Sequence, residues 1–196
     1  MVCPDFVRYD LDVYHDQLIS KCDLFTSENI GFAKASRIFG QKKRIVDLLE
    51  YYEKLGSGDA FRRMCVLDAL ILNPDRHYGN FGVWFDTDTM QVAKMAPVFD
   101  HNKSLFPELD EDELARPVLH CVSRPGPDFV STAKSLLTDD IRADLKKTAW
   151  LFLCSTSGVP ASGYQSEPAE QNYSYTNSTN SVLNLVFTLK CLDTPA

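Results

Sequence analysis

The chain has 196 residues, 44% of them hydrophobic and 24% charged, with a net charge of −7. That is enough apolar material for one domain with a real core. Its scattered Lys and Arg offer no basic surface for direct nucleic-acid binding. No apolar run approaches the ~20 residues of a membrane span, and Met1 to Phe6 show no secretory pattern. The expectation is a cytoplasmic protein with neither nucleic acid nor membrane as partner. The six cysteines form no CxxC pair, which argues against a zinc site or a disulfide scaffold; Cys65 reads as a small core residue.

In chain order, residues 6 to 14 read as an extended segment rich in aromatic and β-branched side chains, and Leu18 to Phe25 as a short second strand after the polar Asp16-Gln17 turn. Thr26 or Ser27 is placed to cap a helix carrying Ile30, Phe32 and Ala33 and stopped by Gly40. A second helix is predicted from Lys42 to Leu55, with Gly56 just past its end. A third, capped by Ser57 or Asp59, runs to Leu72 and is apolar around much of its circumference, as a buried central helix would be. Asn73-Pro74-Asp75 breaks it, since Pro74 has no N–H and constrains its predecessor. Phe81 to Phe85 and Gln91 to Met95 form a predicted β-hairpin. Residues 108 to 114 suggest a short acidic helix, 123 to 128 a loop, and Thr138 caps a last helix to about Phe152. Residues 155 to 181 are polar and read as loop or disorder; 181 to 192 suggest a strand.

The chemistry-bearing stretch is Asn73-Pro74-Asp75-Arg76-His77-Tyr78-Gly79-Asn80, between the buried helix and the hairpin, followed by Pro97-Val98-Phe99-Asp100. Phosphoryl transfer needs a group to accept or orient the proton of the attacking hydroxyl, and hard oxygen ligands for Mg²⁺. A carboxylate on a rigid loop, an amide five residues on, and a second carboxylate beyond a hairpin meet those needs. Asp followed by Asn at that spacing is also the pattern of the protein-kinase catalytic loop. Asp68, an acid on an apolar helix, needs hydrogen bonds to be tolerated there and is expected to hold the loop backbone. His77 reads as a packing residue.

The run from Leu67 to Gly82, with Ala96 to Asp100 and Ser104-Leu105, resembles the HipA-like family of bacterial serine/threonine kinases, including those of toxin–antitoxin modules. The likeness extends over about residues 5 to 150 and is strongest from 64 to 106. It implies Asp75 as catalytic base, Asn80 and Asp100 as Mg²⁺ and nucleotide ligands, ATP and Mg²⁺ as cofactors, a Ser/Thr protein substrate, and an antitoxin-like partner. The expected fold is mainly α with a small β-hairpin (α+β), a protein-kinase-like C-lobe of HipA type. Its parts would be an interlobe segment at 1–25, a helical lobe at 26–154 and a polar tail at 155–196. No glycine-rich loop or phosphate-contacting lysine precedes the catalytic loop, and Gly56-Ser57-Gly58 reads as a turn, so most of the ATP-clamping N-lobe is expected to be absent. Two other readings stay open: an inactive pseudokinase or binding module, and a lipid kinase of phosphatidylinositol type, since Asp-Arg-His-x-x-Asn is similar to that family too.

Overall fold

The computed structural model describes residues 5–40, 43–104 and 125–147. The expected acidic helix at 108–114, the end of the last helix beyond 147 and the tail at 155–196 lie outside the described residues.

The first element is a β-ribbon. Strands β1 (Tyr9–Tyr14) and β2 (Gln17–Cys22) pair antiparallel, with Tyr14 opposite Gln17. The connecting His15 and Asp16 both take positive φ, 49° and 59°, as the two-residue turns that match strand twist require. Just ahead of it, the Val7 N–H donates to the Val98 carbonyl at 2.9 Å and the Val98 N–H to that of Asp5 at 3.0 Å. The amino-terminal segment is thereby tied to the chain just before Asp100.

The expected helix after Thr26 is corrected: Ile30–Lys34 forms strand β3, and only Ala35–Phe39 is helical, as α1. Ile30 and Phe32 suit a strand period as well as a helical one. Pairing decides, with Phe32 opposite Trp84 and Ala33 opposite Val83. Strands β4 (Gly82–Asp86) and β5 (Val92–Met95) form the expected hairpin, and β3 extends it to a three-stranded sheet in the order β3-β4-β5. The fold is therefore mixed α/β with two small sheets, more β-rich than the sequence reading proposed.

Helix α2 (Ile45–Lys54) ends at Leu55, and Gly56 takes φ 69°, the left-handed conformation that suits a residue without Cβ. Helix α3 (Gly58–Leu70) begins after Ser57. The Ser57 hydroxyl does not cap it; it accepts the Met95 N–H at 3.0 Å and ties the helix start to β5. Apolar side chains leave α3 on opposite sides. Phe61, Met64 and Cys65 join Leu48, Tyr52, Phe81, Val83 and Met95 in one core, where the Tyr52 and Phe61 rings stack at 5.0 Å. Val66, Ala69 and Leu70 join Phe129, Ala133, Ile141 and Leu145 in a second. The latter residues come from helix α4 (Phe129–Leu136), a stretch the sequence reading left unassigned, and from the helical segment 139–147. Arg63 reaches from α3 to Asp59 and Asp144, both at 2.7 Å. With cores on both sides, α3 is held by packing on two faces, and the chain leaving its C-terminus starts from a buried position.

Gly82, where the loop enters β4, packs so closely on β3 that a Cβ would lie 2.1 Å from the Ala33 carbonyl oxygen. Gly82→Ala is expected to cost about 1–3 kcal/mol through overpacking, read as a lowered urea midpoint with unchanged slope; a wild-type midpoint would contradict this packing.

Candidate active site

The loop from Leu72 to Asn80 is built around buried polar groups. Leu72 itself takes φ 50° with its side chain fully buried, a conformation a leucine adopts only when its surroundings force it. Asn73, also fully buried, shapes the turn: its Nδ2 donates to Asp68 Oδ1 at 3.1 Å, and its Oδ1 accepts the Asp75 N–H at 3.1 Å. The second bond is the Asx turn that an Asn-Pro-Asp sequence favours. Two further bonds close the loop, His77 N–H to the Asp75 carbonyl at 2.8 Å and Asn80 N–H to the His77 carbonyl at 2.9 Å.

Arg76 organises everything around it. Its guanidinium, with no solvent exposure, forks onto the buried Asp68 carboxylate, with Nε to Oδ2 and Nη2 to Oδ1 both at 2.8 Å. Its Nη1 then donates to the Asn80 carbonyl at 2.8 Å and to the Phe99 carbonyl at 2.6 Å. One nitrogen thus joins the end of the 75–80 loop to the residue immediately before Asp100. Burial works against the arginine's charge, but the charge and hydrogen bonds of Asp68 outweigh it and push its pKa up. Asp68 plays the loop-holding role expected of it.

The three predicted site residues sit as follows. Asp75 is half-buried; its carboxylate has His77 Nε2 at 3.9 Å as its recorded neighbour among the described residues. Asn80 is buried, and its Nδ2 donates to the Asp75 carbonyl at 3.1 Å. That bond commits the amide nitrogen to the loop and leaves the amide oxygen as the group available to a ligand. Asp100 is half-buried at φ 58°, and no hydrogen bond to its carboxylate is recorded among the described residues. Arg76 therefore draws the backbone at Asn80 and that before Asp100 together, while among the described residues no hydrogen bond ties down the carboxylate of Asp75 or Asp100. His77 is not the packed histidine expected from the sequence. Its side chain is substantially exposed, and its Nδ1 accepts the Gly79 N–H at 2.9 Å, which leaves the neutral ring's proton on Nε2.

Other residues position the site without having been singled out in the sequence. Phe99 stacks on Phe25 at 5.4 Å and meets Phe32 edge-on at 5.5 Å, steadying the strand exit before Asp100. Ala35 and Ser36, at the start of α1, donate their N–H groups to the carbonyls of Phe81 and Tyr78, each at 2.9 Å. Burial and the nearby Arg76 charge lower the pKa of His101, favouring its neutral ring. The Arg76 contribution was hardest to foresee. Its one signal was complementarity: an acid on an apolar helix implies a buried cation, and Arg76 is the nearest following basic residue.

No protein-family model matches the chain, and no curated protein matches it. Among solved structures it is similar to the crystal structure of a Helicobacter pylori proinflammatory kinase, CtkA, at 17% identity and a TM-score of 0.50, over 96% of this chain and 75% of that one. At this identity the likeness bears on the fold alone, which resembles that of the kinase in part.

Two stability outcomes follow. Arg76→Met leaves the buried Asp68 charge unpaired and is expected to cost about 3–5 kcal/mol. Adding Asp68→Leu should restore only part of this, because the Asn80 and Phe99 carbonyls still lack their donor. Full restoration in chemical denaturation would contradict the bridging role of Arg76. For His101 the folded state favours the neutral ring, so its contribution is present above pH 6.5, the ordinary value, and is lost as pH falls below it. Denaturation at pH 7.5 and 5.5 should show a smaller pH loss for His101→Gln than for wild type; equal losses would contradict this.

Proposed function

We propose that the chain is the catalytic lobe of an ATP- and Mg²⁺-dependent serine/threonine protein kinase of HipA-like type. The observation that carries this reading is the Arg76 bridge, which draws together a loop bearing Asp75 and Asn80 and a strand exit bearing Asp100. The kinase-like fold supports it. In this reading the Asp75 carboxylate accepts the proton of the attacking hydroxyl, and the loop bonds from Asn73 and Asn80 hold it in place.

The donor set suits magnesium. That ion takes one or two protein oxygens and completes its shell with water and phosphate, so the Asn80 amide and the Asp100 carboxylate suffice to hold it. A closed cage is not required, and among the described residues no three His, Cys, Asp or Glu side chains form one. When bound, the ion would neutralise charge on the phosphates. Asn80 and Asp100 serve as its two protein anchors, and the Arg76 bonds set the backbone from which both side chains project.

Incubation of the folded chain with γ-labelled ATP, Mg²⁺ and a generic protein substrate tests the reading. Phosphate transfer is expected, and Asp75→Ala should lower it about 10²–10⁴-fold while ATP binding persists. Transfer that survives Asp75→Ala contradicts the assigned base. ATP bound without transfer by the wild-type chain, or no ATP binding at all, would favour a binding module. Transfer to inositol headgroups in place of protein would favour a lipid kinase.

A further inference from the structure

The β1–β2 ribbon buries neither of its faces. Every residue of β1 is exposed, as is all of β2 except the half-buried Ile19. The register sets Tyr9 opposite Cys22, Leu11 opposite Ser20 and Val13 opposite Leu18, so these side chains share one face. Tyr9, Leu11, Val13 and Leu18 are 45%, 75%, 65% and 71% exposed. A two-stranded ribbon is marginal by itself, and contiguous exposed apolar surface marks an interaction site. The opposite face carries Asp10 and Asp12 across from Lys21 and Ile19. Residues 5 to 23 hold Asp5, Asp10, Asp12, Asp16 and Asp23 against Arg8 and Lys21, and Lys21 already pairs with Asp12 at 3.4 Å.

The ribbon also leads to the candidate site. Residues 5 and 7 bond to Val98, two positions before Asp100. Tyr9, the first residue of β1, follows this tie by two positions. A strand added along the ribbon would therefore run toward Asp100.

We propose that the ribbon docks the protein substrate. An extended segment with alternating apolar and basic residues adds along the outer edge of β1, which pairs with no other strand among the described residues, as edge-binding peptides do. Its apolar side chains cover Leu11 and Val13 on β1, beside which Leu18 sits across the ribbon, and its Lys or Arg side chains face Asp10 and Asp12. The identity of this segment as a substrate rests on the kinase reading; the docking surface does not. A second copy of the chain fits the ribbon poorly. It would bring an identical row of aspartates alongside, and four apolar side chains fall short of the ~800 Å² per partner of a stable interface.

The test uses the full chain and two fluorescein-labelled decapeptides, one alternating lysine and valine around a central serine, the other with glutamate for lysine. Fluorescence anisotropy without nucleotide should show binding of the lysine peptide and at least tenfold weaker binding of the glutamate one. Leu11→Ser with Leu18→Ser should weaken the lysine peptide at least tenfold. Asp10→Asn with Asp12→Asn should weaken it and flatten its salt dependence. Circular dichroism checks that each variant stays folded. Equal binding of both peptides, or affinities unmoved by the ribbon substitutions, would overturn the proposal. So would a dimer in analytical ultracentrifugation that Leu11→Ser dissolves, since the ribbon would then belong to a second copy. A chain that docks the lysine peptide yet transfers no phosphate would sink the kinase reading and leave the docking surface standing.

Discussion

The site depends on one buried ion pair, that of Asp68 and Arg76. A forked, fully desolvated arginine is costly unless each of its donors finds an acceptor, and here Asp68 takes two and the Asn80 and Phe99 carbonyls take the rest of the recorded bonds. The same requirement that keeps the arginine satisfied also fixes three segments against one another: the end of α3, the 75–80 loop and the strand exit before Asp100. Lysine could not replace it, because a single ammonium cannot fork onto a carboxylate while reaching two carbonyls.

Around that pair the architecture grades from rigid to open. Helix α3 is buried on both sides and supplies Asp68 from a position that cannot shift without disturbing both cores. The loop is next, held by buried Asn73 and by the start of α1. Beyond it, no hydrogen bond to the Asp75 or Asp100 carboxylate is recorded among the described residues, and the ribbon stands exposed to solvent. Side chains that hold the backbone are buried and bonded, whereas those proposed to meet a ligand are left available. That division is what a preorganised site requires.

Much of this was readable from the residues. Asn73-Pro74-Asp75 announced the break after α3, Gly56 the end of α2, and the isolated acid Asp68 a buried polar contact. Each depends on local chemistry that acts within a few positions. The errors lie where distant partners decide. Ile30 and Phe32 fit helix or strand, and only pairing with β4, more than fifty residues away, selects the strand. Ser57 was a reasonable cap until the Met95 N–H claimed its hydroxyl. His77 was expected to pack, but its ring turns back onto the Gly79 N–H. For the candidate site, the residue types and spacing of Asp75, Asn80 and Asp100 stood out in the sequence, but the Arg76 bridge between the loop and the strand exit did not, because Phe99 lies 23 positions from Arg76.

In the proposed site Asn80 and Asp100, on backbone joined by Arg76, hold the same divalent ion. The decisive measurement is a double-mutant cycle on Mn²⁺ affinity in the presence of ATP, followed by electron paramagnetic resonance with Asn80→Ala, Asp100→Ala and the pair. Two groups on one ion should couple by about 0.5–3 kcal/mol, so that the double variant loses less than the two single losses together. Strictly additive losses, or affinity unchanged by either substitution, would contradict it.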